Sequence, residues 1–161
     1  MTIQSIVSTI FNNDYPKIVI GKFGIKYLIL ENSALDFQVT KHGILDDWVA
    51  KNGSLFLKKD SIIFDVGANV GLLTLLFSKI YSNLGKIYSF EPDPINISQL
   101  HANIFINQCN NVQIVQKAIQ SNHQKKSLLF NIRRCIDGDG KENRGISSLL
   151  PIGLSYWQNC S

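Results

Sequence analysis

The stretch Phe64-Asp65-Val66-Gly67-Ala68-Asn69-Val70-Gly71 decides the fold. With Ser61-Ile62-Ile63 before it, the run is short and continuously apolar up to Asp65, the mark of a parallel strand buried on both faces. It enters a glycine-rich turn, and a helix follows from about Leu72 to Tyr81. That helix is apolar nearly all round (Leu72, Leu73, Leu75, Leu76, Phe77, Ile80), as suits one packed deep against a sheet. A second strand, Lys86 to Phe90, leads into Glu91-Pro92-Asp93-Pro94, where Asp93 suits an N-cap and Pro94 the first helical position. The next helix reaches about Asn107, with Ile97, Leu100, His101 and Ile104 as its buried stripe, and a third strand spans Val112 to Ala118. Strands and helices alternating across short connections predict a parallel α/β sheet.

Working outward, Lys17 to Leu30 reads as a hairpin, with IVI and IKYLIL on either side of Gly21-Lys22-Phe23-Gly24. Ile44, Leu45, Trp48 and Val49 recur at helical spacing, and Asn52-Gly53 marks the end of that helix. Residues 1–58 are thus expected to form a hairpin and helix leading into a core at 59–161, one domain in all. Ser127 to Ile132 reads as a further strand, and Asp137 to Gly145 as a polar, mobile loop.

The whole chain has 161 residues, 45% of them hydrophobic and 17% charged, with a mean hydropathy of +0.04, which excludes global disorder. The net charge of +4 and pI near 9.0 are mild. Basic residues are scattered, with only short pairs such as Lys58-Lys59, Lys125-Lys126 and Arg133-Arg134, so no nucleic-acid partner is indicated. Cys109, Cys135 and Cys160 make no C-x-x-C pair, which argues against a disulfide scaffold and a structural zinc site. The first residues lack a basic region followed by an apolar run, and no stretch is long enough for a membrane span. A soluble, cytoplasmic chain is expected.

The glycine turn carries the chemistry. Glycine tolerates positive φ and has no Cβ to keep a ligand from the backbone, and amides at a helix start favour a polar or anionic group. An acidic residue ending the next strand about twenty residues on is placed to accept hydrogen bonds from ribose hydroxyls, and Glu91 stands there. Asn69 replaces the middle glycine that lets a dinucleotide pyrophosphate approach, and no Gly-Lys-Ser/Thr follows, so NAD, FAD and P-loop readings are disfavoured. Asp65 would repel a diphosphate and suits a cationic amino-acid group. Asp65, the turn and Glu91 together fit S-adenosylmethionine. Replacing Glu91 with Ala is expected to cost cofactor affinity and spare the fold.

These blocks (DVGANVG, YSFEPDP, Leu100 to Asn107, Val112 to Ile119, and Gly145 to Leu149) resemble the FkbM family of S-adenosylmethionine-dependent methyltransferases across roughly Leu45 to Leu150. The resemblance implies a Rossmann-like class I methyltransferase fold with Gly67, Ala68, Asn69 and Gly71 lining the cofactor and Glu91 on the ribose. It also implies methylation of a hydroxyl on a small molecule or sugar. The family's fourth strand, with its K-I-D-V-E-G-x-E pattern, has no counterpart before Ser161. The resemblance therefore implies a fold incomplete at its C-terminus, and as an alternative a non-catalytic fragment that takes its missing strands from a partner chain. An NAD-dependent oxidoreductase is the weaker alternative. No catalytic base can be named.

Other polar residues have plainer readings. Asn69 also suits the helix N-cap. Asn103 and Asn107 match the family pattern but read as helix surface or C-terminal cap. His101 reads as a core histidine, His42 and His123 have no partner pattern, and Asp46-Asp47 reads as the wet face of a short helix. Asp137, Asp139 and Glu142 have the wrong spacing for a calcium loop, so no metal is expected.

Overall fold

A computed structural model describes residues 16–29, 34–44, 46–81 and 83–119, together with the backbone of short strands at 128–131, 135–136, 142–143 and 148–151. The hairpin forms as the sequence predicts. Strand β1 (Lys17–Ile20) pairs antiparallel with β2 (Lys26–Ile29), Lys17 opposite Ile29. Helix α1 (Ala34–His42) follows; no periodic stripe announces it, and Val39 is its buried apolar residue among those described. Helix α2 (Asp47–Asn52) is capped by Asp46, whose carboxylate accepts from the Val49 amide at 2.9 Å. Asp47 pairs with Lys22 and Lys51 at 2.9 and 2.5 Å. The two acids are thus a cap and an ion-pair centre as well as a wet face. Ile44 and Ala50 are buried against Leu76, whereas Trp48 is 62% exposed and lies outside the apolar face expected for it.

The sheet is built from β3 (Ile63–Val66), β4 (Ile87–Phe90) and β5 (Val112–Val115), parallel and in that order, with Ile63 beside Ile87 and Ile87 beside Val112. Helix α3 (Leu72–Ile80) connects β3 to β4, and α4 (Pro94–Asn107) connects β4 to β5. This is a Rossmann-like α/β arrangement, as the strand–helix rhythm requires. Strand β6 (Leu128–Asn131) falls where a strand is expected and pairs antiparallel with β9 (Ser148–Pro151). Strands β7 (Cys135–Ile136) and β8 (Glu142–Asn143) form a second small pair. The expected loop at 137–145 otherwise lies outside the described residues, as do His123 and Cys160.

Three expectations are corrected. Among the described residues strand β3 is covered on one face only: Asp65 is buried toward α3, while Phe64 is 63% exposed and Val66 is exposed beside it. Phe64 stacks on Tyr88 and Phe90 at 5.5 and 6.1 Å between ring centroids. On α4, Ile97 and Leu100 are buried and Ile104 partly so, but His101 is exposed. The polar Asn96, Gln99, Asn103 and Asn107 are the buried ones instead. Gln99, Asn103 and Asn107 face backbone groups of the hairpin and the turn that apolar side chains could not pair, and Asn96 faces the Glu91 carboxylate. Ile25, Tyr27 and Ile29 of the hairpin share one cluster with Val70, Leu72, Leu75 and Cys109.

Among the described residues no helix is long and apolar enough to cross a membrane.

Candidate functional site

The turn between β3 and α3 is held by β4. The amides of Gly67 and Ala68 both donate to the Phe90 carbonyl, at 2.9 and 3.0 Å, and the Gly71 amide donates back to Ala68 at 2.8 Å. The Asn69 amide donates to Glu91 Oε2 at 2.9 Å. These amides are thus engaged within the protein rather than directed outward. Three of its residues are left-handed: Gly67 at φ +79°, Asn69 at 52° and Gly71 at +89°. Asparagine is among the few side chains that adopt this conformation readily.

The two glycines serve different ends. A Cβ on Gly71 would stand 2.3 Å from Leu100 Cδ1, so this glycine allows α3 to start against α4. A Cβ on Gly67 would meet nothing within 4 Å, so its exposed backbone borders open space at the carboxyl end of β3. Gly71 itself caps α3, and no side chain bonds there, so Asn69 is not the helix cap. The Asn69 side-chain oxygen is buried with no partner among the described residues.

Glu91 is 5% exposed and joins three segments. Besides holding Asn69, it accepts from the Asp93 amide at 2.9 Å through Oε1, with the Asn96 side-chain amide 3.4 Å from the same oxygen. Asp93 caps α4 by accepting from the Ile95 amide at 2.8 Å, as its position before Pro94 predicts. One carboxylate therefore locks the glycine turn, the end of β4 and the start of α4 together. Replacing Glu91 would leave the Asn69 and Asp93 amides without this acceptor, a cost in stability that a reading of Glu91 as a turn residue alone does not include.

Asp65 is placed behind the turn. Its Oδ2 accepts from Thr74 Oγ1 at 2.5 Å, and Thr74 Oγ1 lies 2.8 Å from Ser89 Oγ, all three residues being buried. Burial pushes the Asp65 carboxyl above its ordinary value, and hydrogen bonds from Thr74 partly offset the rise. Gly67, Ala68, Asn69 and Glu91 are thus brought to one place, Gly71 sits at the helix contact, and Asp65 joins a buried polar node between sheet and helix. Thr74, Ser89 and Asn96 escape the sequence reading; a threonine inside an otherwise apolar helix was the one signal available. Asn103 also belongs to the site's surroundings, since its side-chain amide donates to the Val70 carbonyl at 2.8 Å. It is completely buried, and so is Asn107 almost entirely, so neither is helix surface.

Gly67 thus borders open space, Asn69 occupies the middle of the turn with a side chain, and a carboxylate stands at the end of β4. No family model matches the chain, and no curated protein does. Among solved structures, it is similar to precorrin-6y C5,15-methyltransferase from Geobacter metallireducens, at 24% identity and a TM-score of 0.40, covering 48% of this chain and 42% of that one. An rRNA methylase from Streptococcus thermophilus matches at 14% identity and a TM-score of 0.39, covering 43% and 37%. Methyltransferase FkbM from Methylobacillus flagellatus matches at 16% and 0.37, covering 60% and 28%. The chain spans less than half the length of each of these structures.

Proposed function

We propose that the chain binds S-adenosylmethionine and is the cofactor-binding part of an FkbM-type methyltransferase acting on a hydroxyl of a small molecule or sugar. The observation that supports this reading is Asn69: it holds the left-handed position at the middle of the turn with a side chain where a pyrophosphate-binding turn needs glycine. When bound, the cofactor supplies a methyl group on a cationic sulfur. The chain's own part is to bind and orient. The open backbone at Gly67 gives close approach, Ala68 and Asn69 shape the floor of the site, and Gly71 sets where α3 begins. Glu91 accepts from the Asn69 and Asp93 amides and from the Asn96 side chain, and a ribose hydroxyl would have to share that buried carboxylate with them. Asp65 acts as a positioning residue, holding the end of β3 against α3 through Thr74.

Calorimetric titration tests the reading. Binding of S-adenosylmethionine or S-adenosylhomocysteine in preference to NAD is expected; binding of NAD alone overturns it. A second reading, a non-catalytic binding fragment completed by another chain, is favoured by the open aromatic face formed by Phe64, Tyr88 and Phe90. It expects cofactor binding with no labelled methyl transfer to a panel of hydroxyl acceptors, whereas turnover by this chain alone removes it.

A further inference from the structure

The N-terminal hairpin is fastened to α4 by side-chain amides. In an antiparallel pair, alternate residues turn their N–H and C=O away from the partner strand. On β2 these are Lys26 and Leu28, and α4 meets them. The Leu28 amide donates to Asn103 Oδ1 at 2.7 Å, and the Leu28 carbonyl accepts from Gln99 Nε2 at 2.7 Å. The Lys26 amide donates to Asn107 Oδ1 at 2.9 Å, and its carbonyl accepts from Asn107 Nδ2 at 2.6 Å. The spacing explains the match: four residues of helix rise about 6 Å, close to two residues of strand. The column Gln99, Asn103, Asn107 thus occupies the place of a third strand on an edge that would otherwise be open.

Asn103 does one thing more. While its oxygen holds Leu28, its nitrogen holds Val70, the residue between left-handed Asn69 and Gly71. We infer that Asn103 is a positioning residue for the cofactor turn, tying Val70 directly to Leu28 of the hairpin. The functional half of this inference rests on the proposed binding of S-adenosylmethionine; the mechanical half does not.

Asn103→Asp keeps an acceptor for Leu28 and replaces the donor to Val70 with a second acceptor. Asn107→Asp, which alters the stitch to Lys26 and the bond to the Asn103 carbonyl but leaves the bond to Val70, is the control. Hydrogen exchange of the ligand-free proteins is expected to speed up about tenfold at the Asn69 and Gly71 amides in Asn103→Asp, and less than about threefold in Asn107→Asp. The dissociation constant for S-adenosylhomocysteine should rise about tenfold in Asn103→Asp alone. A folded Asn103→Asp protein with parental exchange at the turn overturns the inference. Should that variant fail to fold, exchange of the parent in increasing denaturant decides. Leu28, Asn69 and Gly71 are expected to open in one step, and separate openings overturn the inference. If the parent binds no S-adenosyl ligand, the proposed function fails while the exchange result still judges the coupling.

Discussion

The two faces of the parallel sheet differ in cover, and the covered one holds a polar node within its apolar packing. Toward α3 and α4 lie Ile87, fully buried, and the polar node of Asp65, Thr74 and Ser89. On the opposite face Phe64, Tyr88 and Phe90 stack on one another, with Phe64 and Val66 exposed. Buried polar groups persist where each finds a partner, and here a threonine hydroxyl links a carboxylate to a serine. Exposed aromatics in a contiguous group are the informative exception on a protein surface. The covered face therefore carries the geometry of the site, and the open face carries apolar surface that the described residues do not cover.

Substitutions on the covered face should weaken the fold far more than those on the open one. Leu75→Ala, at a fully buried position on α3, is expected to cost about 2–5 kcal/mol in urea denaturation. A loss below about 1 kcal/mol would mean that this layer is less closely packed than its burial indicates. At the rim between the faces, Glu91→Gln replaces one of two accepting oxygens with a donor. A loss of about 1–3 kcal/mol is expected, by the same measurement. An unchanged midpoint would show that the carboxylate is not the lock described.

The buried node predicts a change of slope with pH. Burial holds the Asp65 carboxyl above its ordinary 3.8 in the folded chain. Between that value and the raised one, the folded state binds more proton than the unfolded state. The contribution of Asp65 to stability is therefore fully present below about pH 3.8 and is lost as pH rises through the folded value. Asn at this position accepts from Thr74 without titrating. The stability of Asp65→Asn relative to the parent should rise with pH across that window and then level off, as followed by denaturation at a series of pH values. A flat difference would remove the burial argument. The smallest effect belongs to the open face, where Phe64→Thr should cost about 0.5–1 kcal/mol, mostly from lost stacking on Tyr88 and Phe90. A cost equal to that of Leu75→Ala would show that this face is covered after all.

Much of this was readable from residues. The apolar run ending in Asp65, the glycine turn, Asp93-Pro94 as a helix start and the hairpin around Gly21 to Gly24 all fell where local chemistry places them. Each depends on backbone conformation or on period, which neighbours in sequence decide. Readings of which way a side chain faces fared worse. Spacing puts Trp48 and His101 on apolar stripes, yet both are exposed, while Asn103 and Asn107, which read as helix surface or C-terminal cap, are buried. Periodicity ranks residues by apolarity, and it cannot register that a helix faces open strand backbone and so needs amides there.

By itself the sequence determined the alternation of strands and helices from β3 to β5, the glycine turn and the acidic residue at the end of β4, because these follow from φ preferences, capping and hydrophobic runs. Only the tertiary structure decided what those residues do for one another. It turned Glu91 into a lock on the turn, set Asp65 behind it against Thr74, and made Asn103 a link between hairpin and turn. The physical reason is that buried hydrogen-bonding groups must be paired, and the partners that satisfy them are brought close only when distant segments pack.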